Sequence, residues 1–216
     1  MIISTGRRYI FVHIPKTGGT SLAAALESRA MRDDILIGDT PKALRRRARV
    51  RRLEARGRLW KHARLADVDG VLSPDQIAAM RVVTLVRNPW DRMVSYYHWL
   101  RAQRFDHPAV GRAGALGFSA FVLHPDTQAE MENDTVDRYL TMADGRVARA
   151  DAIRIEHLEA DMAGFRAHLG FDPAPGRLNV SDRPRGYADA YDAEARKSVG
   201  RLFAEDIARF GYRFEG

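Results

Sequence analysis

Lys16, Thr17, Gly18, Gly19, Thr20 and Ser21 place one cation, two glycines and three hydroxyls in six consecutive positions. They lie within His13–Leu22, HIPKTGGTSL. Such a set suits an anion of the phosphate or sulfate kind. Glycines let backbone approach closely, and the free N–H groups at a helix start point at negative charge that the helix dipole favours. The lysine precedes the glycines, so the segment is not a nucleotide-triphosphate loop of the G-x-x-x-x-G-K-[ST] type. Taken alone, it could also be a simple glycine-rich turn. A second set lies in Val82–Leu100, VVTLVRNPWDRMVSYYHWL. Arg87 stands at the predicted end of a strand, and Ser95 follows eight residues later in a predicted helix. A guanidinium fork and a hydroxyl could converge on one phosphate. The other reading pairs Arg87 with Asp91 and lets Ser95 merely pack.

The elements that must position these residues alternate in type. Met1–Ile14 reads as strand, with its densest β-branched and aromatic run at Arg8–Ile14. Pro15–Gly19 is a turn, Thr20 is the expected cap, and Ser21–Arg29 has good helix formers. Arg81–Val86 is a second strand, broken by Asn88-Pro89, and Asp91–Arg101 reads as helix. Gly111–Gly117 is expected as loop, with short helices at Phe118–Leu123 and Thr135–Thr141. Ala152–Ile155 is a third strand, followed by a helix from His157 to Leu169 that stops at Gly170. Asp172–Asp189 is mostly loop, and Asp192–Phe210 is an amphipathic helix. Alternation of this kind predicts an α/β fold: a single domain over residues 1–216, with a central parallel sheet flanked by helices. Ligands in such sheets sit at the carboxyl ends of the strands, where both motifs fall.

Composition narrows the partners. The formal charge is +7, and 31 of the 35 basic side chains are arginine, because lysine occurs only at 16, 42, 61 and 197. This balance favours anionic partners without choosing among them. An arginine-rich, mostly exposed helical insertion is expected at about residues 40–60, either as a solvated face or as a surface for an anionic acceptor. Cysteine is absent, which excludes disulfides and cysteine-ligated metal sites. No run approaches the length of a membrane span, and the start does not read as a signal peptide. The location expected is therefore cytoplasmic.

PKTGGTS after one strand and RNPWDR…S after the next together resemble the PAPS-dependent sulfotransferases, and most of all their carbohydrate (sulfotransferase family 2-like) branch. PAPS is 3′-phosphoadenosine 5′-phosphosulfate. The resemblance implies a fold related to the P-loop NTPases. Under it Lys16, Thr17, Gly18, Gly19, Thr20 and Ser21 hold the 5′-phosphosulfate, and Lys16 meets the charge on the bridging oxygen. It further implies that Arg87 and Ser95 hold the 3′-phosphate. Ile153–Asp161, Asn179–Tyr187 and Asp206–Phe214 extend the likeness more weakly. Related enzymes close a late loop over the donor, which would make Arg183, Arg185 and Tyr187 donor contacts; this chain lacks the K-G-x pattern of some branches. The catalytic base would be His62, in WKHAR, with His13 the runner-up and Glu27 and Asp91 less well placed.

The implied reaction moves a sulfuryl group from PAPS to a hydroxyl and leaves adenosine 3′,5′-bisphosphate. No metal is required, and the acceptor is a saccharide that could itself be anionic. Two rivals stand beside this reading. A P-loop-like nucleotide kinase would need Mg²⁺ and ATP. A basic nucleic-acid-binding protein would show steep salt dependence but leaves both motifs unexplained. Nucleic acid is therefore not the expected partner.

Overall fold

The computed structural model describes residues 1–174 and 186–214. In chain order the elements are β1 (Ile2–Ser4), β2 (Tyr9–Val12), α1 (Gly19–Ser28), β3 (Ile35–Leu36), α2 (Pro41–Arg45), α3 (Arg47–Val50), α4 (Pro74–Ala78), β4 (Arg81–Val86), α5 (Pro89–Arg101), α6 (Pro108–Ala115), α7 (Phe118–Leu123), α8 (Pro125–Glu132), α9 (Val136–Leu140), β5 (Ala150–Arg154), α10 (Leu158–Asp161), α11 (Ala163–Leu169), α12 (Ala193–Leu202) and α13 (Ala204–Phe210). The chain divides into two compact units. One comprises Met1–Val86 with Val136–Asn179, the other Arg87–Thr135 with Val180–Gly216.

The first unit holds a five-stranded sheet of order β3-β1-β2-β4-β5. The α/β class is as expected, but the sheet is mixed. β2, β4 and β5 run parallel, whereas β1 is antiparallel to both β2 and β3. The single strand anticipated over Met1–Ile14 is a hairpin that turns at Thr5–Arg8. Its two arms are both buried, so neither shows the polar alternation that marks separate strands. Tyr9, Phe11, Val83, Leu85 and Ile153 share one sheet face and pack with Leu22, Ala23 and Leu26 of α1 and Met162, Phe165 and Leu169 at α11. Ile10, Val12, Val82 and Val86 on the opposite face are buried too. A sheet buried on both faces explains why β4 reads as an almost unbroken apolar run. Within that run Thr84 is polar, and its hydroxyl donates to Val12 O at 2.9 Å.

The second unit is helical in the described residues. Trp90, Met93, Tyr97 and Leu100 along α5 follow the i, i+3, i+4 spacing and form a core with Phe121, Val122, Met131, Val199 and Phe203. Trp90 Nε1 donates to Arg196 O at 3.0 Å, which ties α5 to α12. The loop anticipated at Gly111–Gly117 is mostly helix, because α6 runs to Ala115. Pro108 opens it, His107 caps it, and Ala109 and Ala113, four apart, are fully buried. Packing there outweighs the low helix propensity of Gly111 and Gly114. Two further boundaries differ. The helix anticipated from His157 to Leu169 begins with a 3-10 turn at Ile155–His157 and breaks between α10 and α11, but it does stop at a left-handed Gly170. The amphipathic stretch near the end divides at Phe203 into α12 and α13.

Candidate anion loop and catalytic histidine

The parallel register brings Val12, Thr84 and Ala152 to one level, so β2, β4 and β5 finish at the same sheet edge. The loop that leaves β2 carries Lys16 to Gly18. Ile155, just past β5, lies beside it: a Cβ on Gly18 would stand 3.8 Å from Ile155 Cγ2. Lys16 has φ 64° and Gly18 φ 81°. Left-handed backbone costs an L residue energy and is retained where surrounding structure enforces it. Two such residues in a three-residue span coil the chain tightly, the kind of curvature that turns N–H groups inward toward an anion. Thr17 is buried and its hydroxyl donates to Ile14 O at 2.8 Å, which clamps the loop from inside.

Gly18, not Thr20, is the cap of α1, and Thr20 lies within the helix. The cap residue therefore has no side chain to offer the first-turn amides. Some helices elsewhere differ, since Thr40, Ser73, Asn88 and Asp192 each accept from a first-turn N–H of their own helix, whereas α3, α7, α10, α11 and α13 also lack a side-chain cap. No acidic residue occupies the first turn of α1 either. Neither a capping side chain nor a first-turn carboxylate therefore meets the positive end of the α1 dipole.

Gly19 is required by contact. A Cβ there would overlap the His13 ring. His13 itself is 6 % exposed, and burial followed by the nearby His62 holds its pKa well below the ordinary histidine value. His13 is thus a neutral wedge under the loop. Its carbonyl accepts from His62 Nδ1 at 2.8 Å, and the two rings meet edge to face with centroids 4.6 Å apart. A carbonyl can only accept, so Nδ1 of His62 carries the proton and Nε2 of the neutral ring presents its lone pair. Burial pulls the His62 pKa down to about 4; the His13 carbonyl opposes that shift and Lys61 adds to it. The ring is neutral at physiological pH with its lone pair on Nε2, and the lowered pKa makes it a weaker base than an ordinary histidine.

Lys61, next to His62, is fixed at both ends. Its carbonyl accepts from the Met1 nitrogen at 2.9 Å, and its ammonium pairs with Asp39 at 2.6 Å. Burial raises Asp39, but the bond and charge of Lys61 outweigh it and keep the carboxyl below its usual range. Glu27 of α1 is buried, and burial pushes its pKa up against the hydrogen bond from Thr40. His13, Thr20, Glu27, Asp39, Thr40 and Lys61 line one small recess. The sequence alone pointed to Glu27 but missed Asp39, Thr40 and Lys61. An acidic residue inside the apolar stripe of α1 was the one signal.

Arg87 and Ser95 belong to the second unit. Arg87 follows β4 directly, and its Nη2 meets Asp91 Oδ2 at 2.6 Å in an i, i+4 pair, the contact of the alternative reading. Asn88 caps α5 and its amide donates to Arg213 O at 2.8 Å, while Ser95 is buried about two turns further on. Tyr187 is part of this local packing: Asn88 donates to its hydroxyl at 3.3 Å and its ring meets Phe214 edge-on. Arg183 and Arg185 lie outside the described residues. His107 and His124 use Nδ1 to cap α6 and α8.

The arginine-rich segment forms α2 and α3. Arg46 donates to Met31 O and Asp34 O, and Arg49 to Arg32 O. Arg45, Arg47, Arg51 and Arg52 are exposed. No helix among the described residues is long and apolar enough to cross a membrane.

No protein-family model matches the chain, and no curated protein matches its sequence. Among solved structures it is similar to mouse sulfotransferase SULT7A1 in a crystal structure complexed with PAP, at 20 % identity and a TM-score of 0.35. The likeness covers 93 % of this chain and 66 % of the mouse chain, so this chain spans just under two thirds of that protein's length.

Proposed function

We propose that this protein is a PAPS-dependent sulfotransferase acting on a hydroxyl of a saccharide. The observation that carries the reading is the start of α1: a left-handed glycine cap without a side-chain acceptor, beside Lys16, and backed by a neutral His13 that also holds His62. Such a start suits an anion, and the His62 imidazole, with its lone pair on Nε2, is tied to the same strand end. Lys16, Thr17, Gly18, Gly19, Thr20 and Ser21 would take the 5′-phosphosulfate. Arg87 and Ser95 are assigned to the 3′-phosphate, and Arg183 and Arg185 to closure over the adenosine.

In the reaction the acceptor oxygen forms a bond to sulfur as the bridging sulfur–oxygen bond breaks. His62 Nε2 takes the hydroxyl proton. The electron pair of the broken bond stays on the 5′-phosphate oxygen, where Lys16 meets the charge. The products are the sulfated acceptor and adenosine 3′,5′-bisphosphate. This chemistry needs alignment and charge stabilisation, as phosphoryl transfer does, and no step calls for a metal ion.

Calorimetric titration with adenosine 3′,5′-bisphosphate, beside ATP with Mg²⁺, tests the reading. Micromolar binding of the bisphosphate is expected, with a loss of at least about tenfold in Arg87→Ala, the size of one charge-assisted phosphate contact. Binding of ATP–Mg²⁺ with none of the bisphosphate would overturn the reading in favour of a kinase.

A further inference from the structure

Phe214 follows α13 in the second unit, and its half-buried ring sits in a cage of other rings. Trp90, Tyr187 and Tyr191 stand nearly perpendicular to it, with centroids 5.6, 5.5 and 5.5 Å away. The Arg196 guanidinium covers it, with Cζ 4.3 Å from the centroid. Edge-to-face rings and a cation over a ring are each attractive. Together they fix the course of the backbone at Arg213 and Phe214. That backbone meets Asn88. The Arg213 carbonyl accepts from Asn88 Nδ2 at 2.8 Å, and the Tyr187 hydroxyl accepts from the same amide at 3.3 Å. Asn88 Oδ1 accepts from Trp90 N at 3.1 Å and so caps α5.

A carbonyl can only accept, so Arg213 decides which way the Asn88 amide faces: Nδ2 toward the carbonyl, Oδ1 toward the first turn of α5. Asn88 is buried. The amide turned over would set oxygen against oxygen and N–H against N–H with little water to relieve either. What lies beside Asn88 gives the tie its consequence. Arg87 precedes it directly, where β4 gives way to α5, and Asp91 and Ser95 follow on that helix. Arg87 and Ser95 are the pair assigned to the 3′-phosphate. A guanidinium holds a phosphate through directed N–H bonds, so its grip depends on where its backbone is fixed.

We propose that Phe214 is a positioning residue for recognition of the 3′-phosphate: seated in its cage, it holds the Arg213 carbonyl on Asn88 and thereby sets the strand-to-helix turn that carries Arg87. The inference rests on the transferase reading for the role of Arg87. Calorimetric titration with adenosine 3′,5′-bisphosphate and with adenosine 5′-monophosphate separates positioning from stability, because the two ligands differ only in the 3′-phosphate. The parent protein should prefer the bisphosphate. Phe214→Ala should weaken bisphosphate binding about tenfold, the size of one hydrogen bond to a charged group, and leave monophosphate binding as in the parent. Phe214→Tyr, which keeps the ring, should keep the preference. Asn88→Ser retains a capping oxygen for α5 but has no amide for Arg213, so it should narrow the preference as Phe214→Ala does. It carries the test if Phe214→Ala fails to fold. The parent's preference intact in either Phe214→Ala or Asn88→Ser, or an equal loss of both nucleotides, would overturn the inference. A parent that binds neither nucleotide, or does not distinguish them, would instead remove the assignment of Arg87 and the transferase reading with it.

Discussion

His62 is where residue chemistry and local packing meet. Its hydrogen bond to the His13 carbonyl decides which nitrogen can act, and burial decides that the ring is neutral. The same burial has a consequence for stability. In the unfolded chain the ring titrates near 6.5, and in the folded protein near 4. Above pH 6.5 both states are neutral and the residue is indifferent to pH. As pH falls from 6.5 toward 4 the unfolded state takes up the proton first, so stability is lost across that window and levels off below it. By pH 5 the loss from this residue is on the order of 2 kcal/mol. Urea unfolding of the parent and of His62→Gln at pH 7.5 and pH 5 should show a smaller acid loss in the variant. It should not vanish, because His13 is shifted in the same direction. Identical pH dependence in the two proteins would mean that the half-buried His62 ring is not shielded enough to shift its titration.

At the scale of the element, the unit β2–loop–α1 is held by three devices in sequence: the Thr17 hydroxyl on Ile14 O, the left-handed Lys16 and Gly18, and the passage of Gly19 over the His13 ring. The third is the most sensitive to substitution. Gly19→Ala should cost roughly 1–3 kcal/mol through overpacking, read by thermal or urea unfolding, and should lower bisphosphate affinity by distorting the helix start. Adding His13→Ser should recover part of the stability, since the clash is with that ring. If Gly19→Ala were as stable as the parent, the close approach would be wrong.

For the whole molecule, charge is the property that matters. A formal charge of +7 raises the local concentration of any anionic chain. The structure divides the arginines into two sorts. Arg46 and Arg49 brace backbone carbonyls of the segment after α1, whereas Arg45, Arg47, Arg51 and Arg52 face solvent. Under the proposed transfer, the KM for an anionic acceptor should therefore rise several-fold between about 50 and 300 mM salt. Combined alanine substitution of Arg45, Arg47, Arg51 and Arg52 should raise the low-salt KM and flatten that dependence. Parallel salt curves for variant and parent would show that these arginines are only a solvated face.

The sequence by itself determined the α/β class, the position of β4 to the residue, and the two strand–turn–helix motifs. These are local properties: an apolar run buried on both faces, a glycine pair before helix formers, and an Asn-Pro that ends a strand and begins a helix. Tertiary structure alone decided the rest. Whether β1 and β2 form one strand or a hairpin depends on pairing, and both arms are equally apolar. Whether Gly111–Ala115 coils or helices depends on Ala109 and Ala113 finding a core. Forty-nine residues separate His13 from His62, and nothing local in WKHAR indicates that its ring bonds the carbonyl of the strand end that feeds the loop. Contacts across such distances come from how β1, β2 and the 59–63 segment pack, which is a property of the folded chain and of no single stretch of it.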